Sequence, residues 1–143
     1  NPTDYYLDST PLHYAAEKGY LKICILMVED YGIDPNVTLK DKATSLHLAA
    51  ENGHSLTFSY LMEKATLKTP QNEYGCTPLH FAAKAGHMDI CKLIFSNTEE
   101  RNPTNDLRRT PISIAAKNRN ISLCIYLTFK TLTAKVANFL HKG

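Results

Sequence analysis

Six histidines and four cysteines are the side chains of this sequence that could hold a metal or supply a nucleophile and its base. Imidazole and thiolate are standard zinc ligands, but a site needs them inside one coordination sphere. Here they are spread at a regular interval. His13, His47 and His80 stand 34 and 33 residues apart, and His54 and His87 stand 33 apart. Cys24, Cys91 and Cys124 keep the same rhythm, and no pair has the HExxH or CxxC spacing of a metal or redox site. No glycine-rich phosphate loop or serine nucleophile elbow occurs. No catalytic residue, no metal ligand and no cofactor is therefore expected. Residues repeated at a fixed interval are dealt out along an axis, and the interval itself has to be explained.

The histidines sit inside a recurring stretch. Thr77-Pro78-Leu79-His80-Phe81-Ala82-Ala83 ends at Gly86-His87, and Thr10-Pro11-Leu12-His13-Tyr14-Ala15-Ala16 ends at Gly19-Tyr20. Thr44-Ser45-Leu46-His47-Leu48-Ala49-Ala50 ends at Gly53-His54, and Thr110-Pro111-Ile112-Ser113-Ile114-Ala115-Ala116 is a degraded fourth copy. The threonines are 34, 33 and 33 residues apart, a period that signals a stacked repeat array. Each motif encodes a short helix. Thr caps its start by accepting a hydrogen bond from an orphan N–H, and Pro suits the first turn. Leu and the Ala pair share one face, and Gly terminates the helix with a positive φ. That predicts a first helix over 11–18. A second follows, with Leu21, Ile23, Cys24, Met27 and Val28 as its apolar stripe. A turn such as Asn102-Pro103-Thr104-Asn105 then leads through a projecting loop to the next Thr. No such unit buries its apolar face alone, so neighbours must stack.

With its Thr-Pro-Leu-His-x-Ala-Ala and Gly-His signatures, the chain resembles the ankyrin-repeat family over roughly residues 1–130. The resemblance implies an all-α solenoid of helix–turn–helix pairs with hairpin loops. Repeats are expected at about 1–34, 35–68, 69–101 and 102–132 of a single domain spanning 1–143. It also implies that the motif histidine links Thr to adjacent backbone, a structural role, while His54 and His87 start the turn between helices. Cys24, Cys91 and Cys124 each fall 14 residues after their Thr, where repeat two has Phe58. Helices packed about 8–10 Å apart hold such cysteines beyond the ~7 Å reach of a disulfide. They are read as small buried residues in a reducing compartment, with Cys76 the exposed thiol.

Departures from the pattern carry expectations of their own. Repeat two, with Ser45 for Pro and with Ser55 and Thr57 in its second helix, should be the weakest packed unit. Its loop, Val37 to Ala43, is longer than the others. Repeat four has Ser113 for His, Arg119 for the terminating Gly, and Arg108 where Gly75 stands in repeat three. After it, Leu132, Val136, Phe139 and Leu140 fall on one helical face. This stretch reads as a capping helix at about 133–142, or as an extension of the last repeat helix. A basic amphipathic segment that meets a membrane or a partner helix is the alternative.

Composition excludes several classes. With 43% hydrophobic and 21% charged residues the chain reads as globular, and no apolar run approaches the ~18 residues of a membrane helix. The sequence shows no signal peptide and does not begin with Met, so an intracellular, cytoplasmic fragment of a longer array is expected, monomeric as it stands. Net charge is +2, unevenly shared. Residues 1–106 hold 9 Lys/Arg against 14 Asp/Glu, a balance of −5, and residues 107–143 hold 7 Lys/Arg and no acid. That asymmetry can steer an acidic partner to one end. The aromatics of the basic end have core-like spacing, unlike a nucleic-acid surface.

The function implied by the resemblance is non-enzymatic recognition of a protein partner through the concave face and the loop tips. No nucleic acid or small-molecule substrate is implied. Positions that vary while the scaffold repeats are the expected contact set. Behind the Ala pairs these are Glu17, Lys18, Glu51, Asn52, Lys84, Ala85, Lys117 and Asn118. On the loops they are Tyr5, Tyr6, Ser9, Asp41, Ala43, Glu73, Tyr74, Cys76, Asp106, Leu107 and Arg109. The alternative is a structural or regulatory ankyrin segment of a larger protein, such as a channel's cytoplasmic domain or a membrane–cytoskeleton linker.

Overall fold

A computed structural model describes residues 8–143. Tyr5 and Tyr6 lie outside the described residues. Four helix pairs follow one another: α1 (Pro11–Lys18) with α2 (Leu21–Ile25), α3 (Ser45–Asn52) with α4 (Ser55–Lys64), α5 (Pro78–Ala85) with α6 (Met88–Asn97), and α7 (Pro111–Lys117) with α8 (Ile121–His141). Every first helix begins one residue after the motif Thr, as its capping and Pro content predict. The first helices stack as one layer, α1 on α3 on α5 on α7. The second helices form another, α2 on α4 on α6.

The core lies between the layers. Leu12, Leu46 and Leu79 are fully buried with both alanines of the first three motifs. The Ala pairs let neighbouring first helices approach closely, and the second helices add Cys24, Phe58, Leu61, Ile90, Cys91, Ile94, Leu123 and Leu127. Burial pushes the Cys24 thiol up to about 11 and Cys91 to about 12, so neither is a nucleophile at neutral pH.

Two expectations need correction. Repeat two is not poorly packed. α4 buries Thr57, Phe58, Leu61 and Met62, matching Ile90, Cys91, Ile94 and Phe95 of α6. A repeat covered on both sides buries its stripe whatever its polarity, and the thinly covered second helices are those of repeats one and four. In repeat one the second helix finishes as a π-helical turn, Leu26–Asp30, with Tyr31 N–H bonded to Leu26 O. Lastly, residues 133–142 are not a separate capping helix but the extension of the last repeat helix, the other reading the sequence offered. No Gly or Pro interrupts Ile121–His141, so α8 continues as one helix of 21 residues. Its predicted apolar face stays open, with Leu132 55% and Phe139 81% exposed.

Candidate functional site

The motif histidines tie each repeat to the next. Thr10 N–H donates to His13 Nδ1 (3.2 Å), and His13 Nε2 meets Val37 O (3.1 Å). Thr44 and Thr77 N–H likewise donate to Nδ1 of His47 and His80 (both 3.0 Å). Their Nε2 atoms meet Cys76 O (2.9 Å) and Arg109 O (3.1 Å). A ring that accepts at Nδ1 and faces a carbonyl at Nε2 is neutral, with its proton on Nε2. Burial opposes the charged form and lowers all three pKa values, that of His47 to about 4, although the carbonyl bond works the other way. The Thr hydroxyls of these repeats also lie against Nδ1, at 3.0–3.2 Å, within the capping box that opens each first helix. In repeat four, which has Ser113 in place of His, Thr110 accepts Ser113 N–H at 3.2 Å, and Ser113 Oγ takes the histidine's place as acceptor from Thr110 N–H.

A second set of bonds runs backward. His54 Nε2 reaches Glu17 O (2.9 Å), and His87 Nε2 reaches Glu51 O (3.1 Å). These rings lie over Gly19 and Gly53 of the preceding repeat, with ring atoms 2.5 Å from where a Cβ would stand. Repeat four has Asn120 at this position. Its Asn118 Nδ2 takes the equivalent carbonyl, that of Lys84 (2.9 Å). The sequence reading placed these histidines in a turn and missed their reach. The signal was there: Gly in one repeat is answered by His in the next.

The loop tips are joined as well. Glu73 N–H donates to Asp41 O (2.7 Å), and Asp106 N–H to Tyr74 O (3.0 Å). Inside the tips, Asn72 Oδ1 accepts from Tyr74 and Cys76 N–H, and Asn105 Oδ1 accepts from Leu107 and Arg109 N–H. Lys42, Arg108 and Arg119 hold positive φ values of 64°, 56° and 57°. Arg108 and Arg119 thus keep the conformation of the glycines they replace, and carry its strain.

These bonds hold open a groove of about 1030 Å³ between the first helices and the loops of repeats two to four. Ten of the predicted contact residues line it: Asp41, Glu51, Tyr74, Cys76, Lys84, Asp106, Leu107, Arg109, Lys117 and Asn118. Its apolar surface includes Phe81 and Ile114, which sequence reasoning missed. They occupy the slot between His and Ala-Ala, filled by Tyr14, Leu48, Phe81 and Ile114 in the four repeats. That variability was a legible sign. Phe81 is fixed edge-on against the His47 ring, centroids 5.1 Å apart. Charge changes along the groove. Asp41 and Glu51 stand at the repeat-two end, and Arg109 and Lys117 stand with Asp106 at the repeat-four end, with Lys84 3.9 Å from Glu51.

The other predicted residues are placed elsewhere. Ser9, Glu17, Lys18, Asn52, Glu73 and Ala85 have surface exposure but do not line the groove. Ala43 contradicts its assignment. It is 3% exposed, because its N–H turns inward to Asp41 Oδ1 and its methyl joins the core side of the hairpin. Cys76 is a free, half-buried thiol in the groove wall, less buried than Cys24 and Cys91, and its Sγ accepts from Asn105 Nδ2 (3.3 Å). Among the described residues no three His, Cys, Asp or Glu converge as metal ligands would, and no helix is long and apolar enough to cross a membrane.

Comparison with known proteins agrees with this architecture. The family described as ankyrin repeats (3 copies) matches residues 12–105 and, in an overlapping placement, residues 46–138. A curated relative, ankyrin repeat domain-containing protein 53 of Macaca fascicularis, is 34% identical over 81 residues. The match covers 54% of this chain and 16% of that protein, so the chain spans a small part of its relative's length.

Proposed function

Since this chain belongs to the ankyrin-repeat family, we propose that it is a non-enzymatic module that binds a protein partner in the groove of repeats two to four. The observation that carries the reading is the groove's make-up. Exposed Tyr74 and Leu107 rise beside Phe81 and Ile114, with two acids at the repeat-two end and two bases against one acid, Asp106, at the repeat-four end. Aromatic and aliphatic anchors rimmed by charge are the make-up of binding hot spots. The loop-to-loop and histidine bonds order these side chains before any partner arrives, which lowers the entropy lost on binding. An extended segment with an apolar anchor, basic toward repeat two and acidic toward repeat four, fits the charge gradient. Ser9, Glu17, Lys18, Asn52, Glu73 and Ala85 then flank the contact.

The test is capture of lysate proteins on the immobilised chain, quantified by mass spectrometry, against a Tyr74→Ala/Leu107→Ala variant and a Glu51→Ala/Lys84→Ala variant. Both should lose captured partners with melting unchanged, because these side chains are exposed and a surface pair contributes little to stability. Equal capture by parent and both variants refutes the groove as the site.

A further inference from the structure

α8 carries a surface that neither the stack nor the groove uses. It is about twice as long as α4 or α6 (21 residues against 10). Ile121, Ile125, Phe129, Leu132, Val136 and Phe139 are all more than half exposed, and none of them lines the groove. At 3.6 residues per turn these six fall within an arc of ~100°. The arc faces away from the array. Leu127, on the core side, is fully buried. Val136 is nine residues further on, two and a half turns, and so points the opposite way.

Further stacking does not account for this stripe. A repeat added after the fourth would cover the side of Cys124 and Thr128, because their counterparts Phe58, Met62, Cys91 and Phe95 are buried between neighbours. The counterparts of Ile125 are Ser59 and Lys92, and both stay exposed in repeats covered on each side. The stripe needs an occupant of another kind.

Its spacing and charge indicate which. From Ile125 the steps to Phe129, Leu132, Val136 and Phe139 are 4, 3, 4 and 3, the heptad seam of helix against helix. So narrow a seam suits a helix better than a bilayer. Lys135 and Lys142 lie along one margin, and residues 107–143 hold no acid to balance their 7 bases. A second copy would set two cationic helices together. We propose that α8 docks an amphipathic helix of a partner protein whose apolar heptad positions are flanked by Asp and Glu.

The probe is a fluorescent four-heptad peptide with Leu at the seam positions and Glu beside them. A sister peptide carries Lys in place of Glu. Titrated with the full chain, the Glu peptide should bind at least tenfold tighter than the Lys peptide, and more weakly in high salt. Leu132→Gln/Val136→Gln should cut that affinity at least tenfold while melting is unchanged. Lys135→Glu/Lys142→Glu should reverse the preference between peptides. Tyr74→Ala/Leu107→Ala should leave binding intact, which separates this surface from the groove. The proposal is overturned by equal affinities, by indifference to the Gln pair, or by loss of binding on groove substitution. Dimerisation of the chain alone in sedimentation, or co-sedimentation with phosphatidylserine vesicles in preference to the Glu peptide, overturns it equally.

Discussion

Gly53→Ala tests the backward histidine bond most sharply, because the chain contains its own control. Gly53 and Gly32 share one backbone region, φ 74° and 63°. Alanine at either position meets the strain of left-handed backbone, about 1 kcal/mol. At Gly32 nothing lies within 4 Å of a new Cβ, and the cost stops there. At Gly53 the Cβ would stand 2.5 Å from Cε1 and 2.7 Å from Nδ1 of His87. The ring has to leave, and its bond to Glu51 O, 3.1 Å long, goes with it. That bond contributes about 1 kcal/mol, and the displaced ring loses packing besides. Gly53→Ala should therefore cost about 2–3 kcal/mol against about 1 for Gly32→Ala, both by urea denaturation. In a His87→Ala background the cost at Gly53 should fall to that at Gly32, a coupling of 1 kcal/mol or more. Equal costs at the two glycines, or no coupling, would refute the idea that this imidazole bridges repeats.

Other outcomes follow from the same geometry. Arg119→Gly should raise stability by about 0.5–1 kcal/mol, because Arg119 holds φ 57° where the earlier repeats have Gly. A lowered melting temperature would contradict the strain. Ser45→Pro should raise stability by about 1 kcal/mol. The Ser45 hydroxyl is buried without a partner, and Pro opens the other three first helices; a calorimetric melt decides it. On acidification, His47, neutral and buried, is lowered from 6.5 to about 4. Its contribution is complete above pH 6.5 and lost as pH falls through 4, about 3 kcal/mol in all. Glu100 has the opposite sign. Burial raises it from 4.5 to about 7, so its contribution is complete below pH 4.5 and lost as pH rises through 7. Glu100→Gln should then stabilise the chain at pH 8 and leave a steep loss between pH 6.5 and 4. A flat melting temperature across that range would exclude the histidine linkage.

The first helices were legible because each combines a cap and a first-turn Pro or Ser at fixed offsets, with a terminating Gly in the first three. Local rules suffice for that. What crosses repeats was harder. His54 and His87 look like turn residues until the preceding Gly stands beneath them, 35 and 34 positions back in sequence. Ala43 lies in a loop by position but faces the core, because the hairpin closes with Leu39 N–H on Ala43 O (2.8 Å). Variation marked it as a contact, though a small residue also varies where a turn is tightly packed. The apolar pattern of residues 133–142 fitted a capping helix as well as an extension of the last repeat helix. The absence of Gly or Pro between Ile121 and His141 was the better guide, and it gave one continuous α8. Ten groove residues were found by asking which positions vary. Phe81 and Ile114 were lost by asking only after the Ala pair and not before it.

The central claim is that imidazole bonds running both ways lock neighbouring repeats, so that three of them present one groove. Long-range 15N–1H NMR of the ring nitrogens at pH 7 tests it most directly. His13, His47 and His80 should each be neutral with the proton on Nε2, and His54 and His87 should each carry a proton on Nε2. Imidazolium signals from His13, His47 or His80 would contradict the bonds their Nδ1 atoms accept from Thr10, Thr44 and Thr77 N–H, and an Nε2 without a proton on any of the five would contradict the bonds to Val37, Cys76, Glu17, Arg109 and Glu51.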